Sequence, residues 1–422
     1  MKKIARLQEA ILKDLWPKIP PERRALLEQQ AAVGHRHLLD VHNGMVGDRT
    51  PPVAREVLLL HSLLHDDPDN LLRDAVAPKA SLTRVGPDGQ IYFGGVAYDS
   101  TDPWWLYCIW AWEETGPTDP FQDAPVVLQI PDTATLAILG DWGGNNTPAQ
   151  QVATAVRSLS PQYYVHLGDV YYAGTDKKGV IESDYQSENF LYVWPGAAGK
   201  SFNLNSNHDM YAHATGYYGT ALASSLFSAQ AGCSYFALFN SGFRFIGLDT
   251  AYFDPNQSGL GFMNGALNPL QEKFLHNQAV AAVQAGQELV LFSHHNGLSI
   301  DGQATTPLWD QVIAQLAPLA GKRVIWYWGH EHLAAVYAPQ NVGNVTVLPR
   351  CCGHGCIPWG FATALRDSKQ VLWFEQQILG PGSNYFVTNG FATLKVDGAS
   401  IMESFFGQDG SSHWRSSSLV NQ

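Results

Sequence analysis

Apolar residues at helical spacing open the chain. Ile4, Leu7, Ile11, Leu12 and Leu15 fall on one face, and a second polar-apolar stretch starts after Pro20-Pro21 and runs toward His42. The chain up to about residue 70 is therefore expected to be mainly helical. From Ser81 the period shifts toward strand. Pro87-Asp88-Gly89 reads as a turn between Leu82 to Val85 and Ile91 to Phe93, and the aromatic run from Trp104 to Trp112 reads as a further strand, which together predict a small meander. The stretch from Gly116-Pro117-Thr118-Asp119-Pro120 through Pro125 and Pro131 is rich in residues that stop regular structure. It marks the expected boundary, with a second domain beginning near residue 131.

Beyond that boundary the two periods alternate. Thr135 to Leu139, Tyr163 to Leu167, Glu288 to Phe292 and Val324 to Trp328 are short apolar runs of strand length, and Tyr235 to Phe239 with Phe243 to Leu248 read as an antiparallel pair. Pro148 to Leu159 and Pro269 to Gln284 read as helices. Strands that alternate with helices and end in polar clusters predict an α/β sandwich whose site lies at the C-terminal ends of buried strands.

The chain has 422 residues, more than one average domain, which fits an added N-terminal region over 1–130 and a principal domain over 131–422. With 45% hydrophobic and 15% charged residues, it is neither a disordered chain nor a coiled coil. The 26 Lys and Arg against 38 Asp and Glu leave a net charge of −12, which argues against nucleic-acid binding by bulk charge, so an anionic substrate must be attracted locally. The five cysteines are an odd set with Cys351 and Cys352 adjacent, unlike a secreted disulfide framework, and reduced thiols are expected. Lys2 and Lys3 are followed by Arg6, Glu9, Lys13 and Asp14 interleaved among apolar residues, and no apolar run is long enough for a membrane span. A cytoplasmic location is the expectation.

Five polar clusters follow apolar or extended runs: Gly140-Asp141-Trp142-Gly143, Gly168-Asp169-Val170-Tyr171-Tyr172, Ser206-Asn207-His208-Asp209, Ser293-His294-His295 and Gly329-His330-Glu331-His332. Taken singly, Asp141 or Asp169 fits a capping or turn aspartate. Taken together, carboxylate, imidazole and amide donors form a hard-to-borderline ligand set suited to Fe, Zn or Mn. His330 and His332, two apart on extended chain, share a face. The clusters imply a pair of metal ions, which can clamp a phosphoryl oxygen and generate a nucleophile from water near neutral pH.

With these five blocks in order, the stretch from 131 to 355 resembles the calcineurin-like metallophosphoesterases, and within them the purple acid phosphatases. The subtype rests on Gly143, where most of the wider family has His, and on Tyr172, three residues after Asp169. A tyrosine ligates at neutral pH only beside a strongly acidic cation, which points to iron. The resemblance implies a four-layer α/β/β/α sandwich carrying two metal ions. Fe(III) would be held by Asp141, Tyr172 and His332, and Fe(II), Zn or Mn by Asn207, His294 and His330, with Asp169 bridging. It further implies a phosphomonoesterase using metal-bound hydroxide on a small phosphate ester, with phosphodiesterase action on nucleotide or phospholipid-type substrates as the alternative. A catalytically inactive partner-binding scaffold is the rival from outside the enzymes. His208 would protonate the leaving group or stabilise the phosphoryl oxygens, and Asp209 would orient its imidazole.

Two positions depart from the family pattern. Ser206 stands where glycine is usual, which is tolerable unless the backbone there needs a positive φ. Gln303 stands where the mammalian tartrate-resistant type has a second substrate-facing histidine, and an amide exchanges no proton near neutral pH. His295 is expected to face solvent or substrate. Cys351-Cys352-Gly353-His354-Gly355-Cys356 lacks the spacing of a zinc knuckle and reads as a loop beside the metal pair, with His354 near substrate. The aromatic group around Trp104 to Trp112 reads as strand-face packing, and the N-terminal region as a lid, a homo-oligomer surface or a partner-binding module.

Overall fold

Two short strands, β1 (Arg84–Val85) and β2 (Ile91–Tyr92), pair antiparallel with Val85 opposite Ile91. The computed structural model describes residues 84–85, 91–92, 98, 107–176, 184–257, 261–357, 363–377 and 387–420, and the helical reading of the chain before residue 84 lies outside them. The aromatic run expected as a strand is instead helix α1 (Tyr107–Glu114). Tyr107, Cys108 and Ala111 are buried. Their i, i+1, i+4 spacing is one face of a helix, and burial of that face overrides the strand preference of aromatic side chains.

The Pro-rich stretch contains a strand, β3 (Val126–Gln129). The chain then runs β4 (Thr133–Leu139), α2 (Thr147–Leu159), β5 (Tyr163–His166), β6 (Ser201–Asn203), α3 (Asn207–Tyr211), β7 (Phe236–Phe239), β8 (Phe243–Gly247), α4 (Pro269–Ala285), β9 (Glu288–Ser293), α5 (Pro307–Gln315), β10 (Arg323–Trp328), β11 (Ala334–Tyr337), β12 (Gln340–Val342), β13 (Val345–Cys352), α6 (Thr363–Asp367), β14 (Val371–Phe374), β15 (Gly390–Asp397), β16 (Ser400–Gly407), β17 (Ser412–Arg415) and β18 (Leu419–Val420). Three helices begin on the same signal, a capping side chain followed by proline. Asn146 accepts from Ala149 N at 2.9 Å, Asn268 from Gln271 N at 2.9 Å and Thr306 from Trp309 N at 3.3 Å.

The strands form a nine-stranded sheet in the order β14-β11-β13-β10-β9-β8-β7-β3, with β12 on β13, and a seven-stranded sheet in the order β17-β16-β15-β4-β5-β6, with β18 on β16. Side-chain alternation turns these sheets into layers. Ile138, Val165 and Leu394 of the smaller sheet share one core with Phe245, Val290 and Tyr327 of the larger. On the other face of the smaller sheet, Ala137, Leu139 and Tyr164 pack with Val152 and Val156 of α2, and the buried face of α1 joins this core. On the outer face of the larger sheet, Leu289, Leu291 and Trp326 pack with Leu275 of α4 and Val312 of α5. The result is the expected α/β/β/α order of layers. Arg350 of β13 and Glu403 of β16 tie the sheets together through the inner core, with Nε to Oε2 at 2.8 Å and Nη2 to Oε1 at 2.9 Å, and Tyr327 Oη donates to Glu403 Oε2 at 2.6 Å. No described helix is long and apolar enough to cross a membrane. The five cysteines are all buried, and no disulfide joins them.

Candidate metal centre

Adjacent parallel strands of both sheets deliver their C-terminal ends to one place. In the smaller sheet β4, β5 and β6 run parallel, and Asp141, Asp169 and Asn207 follow them in turn. In the larger sheet β9 and β10 run parallel and are followed by His294, then by His330 and His332. Four of these residues hold left-handed backbone without being glycine: Asp141 (φ 55°), Asp169 (φ 79°), His330 (φ 66°) and His332 (φ 43°). Such conformations cost free energy and cluster where a side chain must be aimed. Glycine is required at two neighbouring positions. A Cβ on Gly168, itself at φ 106°, would meet His294 Nδ1 at 2.8 Å, and one on Gly329 would meet Asp141 Oδ2 at 2.5 Å.

His294 is buried, and burial pushes its imidazole down to about 3, so it is neutral. Its Nδ1 lies 2.9 Å from the Leu167 carbonyl, which only accepts, so the proton sits on Nδ1 and Nε2 presents a bare electron pair. That pair faces Asn207 Oδ1 at 2.7 Å and Asp169 Oδ1 at 3.3 Å, two further acceptors. Asp169 Oδ1 is buried and has no hydrogen-bond partner. Three electron pairs thus converge with no hydrogen between them, an arrangement that a cation satisfies and an empty protein interior does not. His330 Nδ1 lies 3.3 Å from His294 Nε2, and burial, then the neighbouring His295 and His294, hold its pKa well below the usual range.

The other side of Asp169 is similar. His332 Nε2 lies 3.5 Å from Asp141 Oδ1 and 3.9 Å from Asp169 Oδ2. Asp141 accepts the His330 backbone N–H at 2.8 Å. Burial and the charge of Asp169 push the Asp141 carboxyl up, whereas Asp169, against its own burial, is held down by its histidine neighbours, His208 foremost and His332 with it. A tyrosine hydroxyl stands among these groups, that of Tyr171, the neighbour of the expected Tyr172: it lies 2.8 Å from Asp169 Oδ2, 3.3 Å from Asp141 Oδ1 and 3.1 Å from His332 Nε2. One hydroxyl hydrogen cannot serve both carboxylates at once. The Tyr172 ring packs on Tyr98, with centroids 4.7 Å apart. Family spacing picks Tyr172, and the adjacent Tyr171 is the one whose hydroxyl reaches Asp169.

His208 lies beside this cluster. Its Nδ1 donates to the Tyr172 carbonyl, which leaves Nε2 directed inward, 3.9 Å from Asp169 Oδ2. The orienting group is thus a backbone carbonyl, where Asp209 was expected. The Asp209 carboxylate accepts from Gln186 Nε2 at 2.5 Å and from Ser206 Oγ at 2.6 Å, and burial pushes its pKa up to about 8. Ser206 has extended backbone (φ −138°) and caps α3, so the usual glycine is not needed there. Gln303 is exposed, and its backbone N–H donates to Asp301.

His295 and His354 differ from expectation. His295 is fully buried rather than solvent-facing. Its Nε2 donates to the Phe262 carbonyl at 2.7 Å and its Nδ1 lies 2.9 Å from Thr250 Oγ1, while one of its ring nitrogens lies within 4.8 Å of ligand atoms of His294 and His330. His354 is also buried, beside Phe405, with neither ring nitrogen hydrogen-bonded. Burial, with a smaller effect from His413, pushes its pKa down to about 3. In the same segment, Cys351 and Cys352 point apart, toward the Leu333 and Ile138 carbonyls, and burial pushes both thiols up. They offer no thiolate to zinc.

His354 carries a pH prediction. Its folded pKa is depressed, so the unfolded chain binds the extra proton, and the neutral ring favours the fold fully only above the unfolded pKa near 6.5. That contribution falls as pH drops through 6.5 toward 3, by about 2 kcal/mol at pH 5. Replacing His354 by Gln is expected to reduce the loss of denaturation midpoint between pH 7 and pH 5, and an unchanged slope would contradict the assignment.

No protein-family model matches the sequence. A search of curated proteins also finds no match. Among solved structures, the chain is similar to GAP50, the anchor in the inner membrane complex of Plasmodium, at 14% identity and a TM-score of 0.45, covering 69% of this chain and 90% of that one. It is similar to a dimetal phosphatase from Danio rerio at 13% identity and a TM-score of 0.45, covering 68% and 99%. It is also similar to YfcE, a phosphoesterase from E. coli, at 10% identity and a TM-score of 0.28, covering 68% and 100%.

Proposed function

We propose that this chain is a binuclear metal-dependent hydrolase of phosphate esters, most nearly a phosphomonoesterase of the purple acid phosphatase kind. The observation that carries the reading is the set of bare acceptors around Asp169: its buried Oδ1 has no hydrogen-bond partner, and the unprotonated His294 Nε2 stands 3.3 Å away. On this reading Asp141, Tyr171 and His332 hold one cation, Asn207, His294 and His330 hold the other, and Asp169 serves both. Two cations so placed supply Lewis acidity toward a phosphoryl oxygen and a water nucleophile near neutral pH. The chain does the rest. His208, its Nδ1–H held by the Tyr172 carbonyl, presents Nε2 to the ester and protonates the leaving oxygen. The Leu167 carbonyl fixes the tautomer of His294. Iron is the favoured occupant of the Tyr171 side, because phenolate forms there only beside a strongly acidic cation.

Turnover of a monoester and a diester chromogenic substrate, measured after loading with iron and with zinc or manganese, tests this. The expected result is monoester hydrolysis that falls about 10²- to 10⁴-fold in His208→Ala. A tyrosinate-to-iron absorption band is expected to vanish in Tyr171→Phe and survive in Tyr172→Phe. Inactivity on both substrates would overturn the hydrolase reading, and colourless active protein would overturn the iron assignment alone.

A further inference from the structure

An asparagine ligand has a difficulty that a carboxylate does not: half-turn rotation about its last bond exchanges an oxygen that binds a cation for an amide nitrogen that repels it. Something must fix which way Asn207 faces. Tyr211 stands four residues later on α3, so the two side chains share a helix face. Its hydroxyl lies 3.2 Å from Asn207 Nδ2 and 3.4 Å from the Gly261 carbonyl. A carbonyl only accepts, so the hydroxyl hydrogen points to Gly261, and the hydroxyl oxygen is left to accept from the amide nitrogen. The relay therefore has a direction, from Asn207 N–H to Tyr211 O–H to Gly261 C=O, and it directs Asn207 Oδ1 to the His294 side, 2.7 Å from Nε2.

Other contacts agree with that direction. Met263 Sδ, a weak acceptor, lies 3.8 Å from Asn207 Nδ2 and 3.7 Å from the Tyr211 hydroxyl. Tyr211 is fully buried and Asn207 is 3% exposed, which keeps bulk water from replacing the relay. The tyrosine ring also packs edge-on against His208, with centroids 5.0 Å apart, so a phenylalanine would keep that wall while losing the hydroxyl.

We propose that Tyr211 is a positioning residue that fixes the amide of Asn207 with its oxygen toward the cation shared with His294 and His330. The inference rests on the binuclear reading above. The test is a chelator-competition titration of the full-length chain with manganese or zinc, in four forms: parent, Tyr211→Phe, Asn207→Asp and the double variant, with KM and kcat measured beside it. Tyr211→Phe is expected to weaken the second cation about 10- to 100-fold, the range for loss of a group that orients a ligand. Asp has no wrong way round, so in the Asn207→Asp background the same change should alter affinity less than about twofold. With metal at saturation, KM and kcat of Tyr211→Phe should return toward the parent values. A parent that binds two cations and a Tyr211→Phe that binds them equally tightly would refute the positioning role and leave the binuclear reading standing. An equal loss in both backgrounds would refute it too, since the effect would then be structural. A parent that binds no second cation would remove the reading itself.

Discussion

Asp169→Asn is expected to abolish metal pairing and lower kcat/KM about 10³-fold or more, equivalent to about 4 kcal/mol of lost transition-state stabilisation. Asparagine keeps the shape and tolerates the left-handed backbone that Asp169 occupies at φ 79°, so the fold should survive. It replaces one carboxylate oxygen by an N–H₂ group and removes the charge between the two ligand sets. Chelator-competition titration and kcat/KM measure this, and two cations bound as tightly as in the parent with activity retained would contradict the bridging assignment.

Glu403→Leu is expected to destabilise the fold by about 3–5 kcal/mol, because it leaves Arg350 buried without its partner. Glu403 is fully buried and Arg350 is 5% exposed, and the fork between them joins the two sheets across the inner core. Burial lowers the guanidinium pKa and Glu403 more than restores it, so the cation persists at any working pH. The Tyr327 hydroxyl would lose its acceptor as well. Arg350→Met combined with Glu403→Leu removes both charges and should recover much of the loss. Denaturant midpoints of the two singles and the double measure this, and a Glu403→Leu effect under about 1 kcal/mol would show that the pair is solvated in practice.

Much of this architecture was legible in the sequence, for physical reasons that can be named. Strands β5, β9 and β10 are buried along most or all of their length, so they appear as unbroken apolar runs, and the helices starting at Asn146, Asn268 and Thr306 announce themselves by cap and proline. The run from Trp104 to Trp112 misled because aromatic residues favour strands in general, while only tertiary contact reveals that Tyr107, Cys108 and Ala111 bury one helical face. The five blocks placed Asp141, Asp169, Asn207, His294, His330 and His332 together because each follows a strand end. Side-chain direction was not legible. Nothing in Tyr171-Tyr172 says which hydroxyl reaches Asp169, and nothing in His294-His295 says that Thr250 and Phe262, distant in sequence, lie against the nitrogens of the second ring. Asp209 was misread for the same reason, since Gln186 and Ser206 claim its carboxylate from positions that sequence spacing does not relate.

The most direct test of the central claim is anomalous X-ray scattering at the iron, zinc and manganese edges from crystals of the full-length chain grown with those metals. Two cations are expected to flank Asp169, one against Asp141, Tyr171 and His332 and the other against Asn207, His294 and His330. A single cation, or cations bound elsewhere while the acceptors around Asp169 bind none, would contradict it.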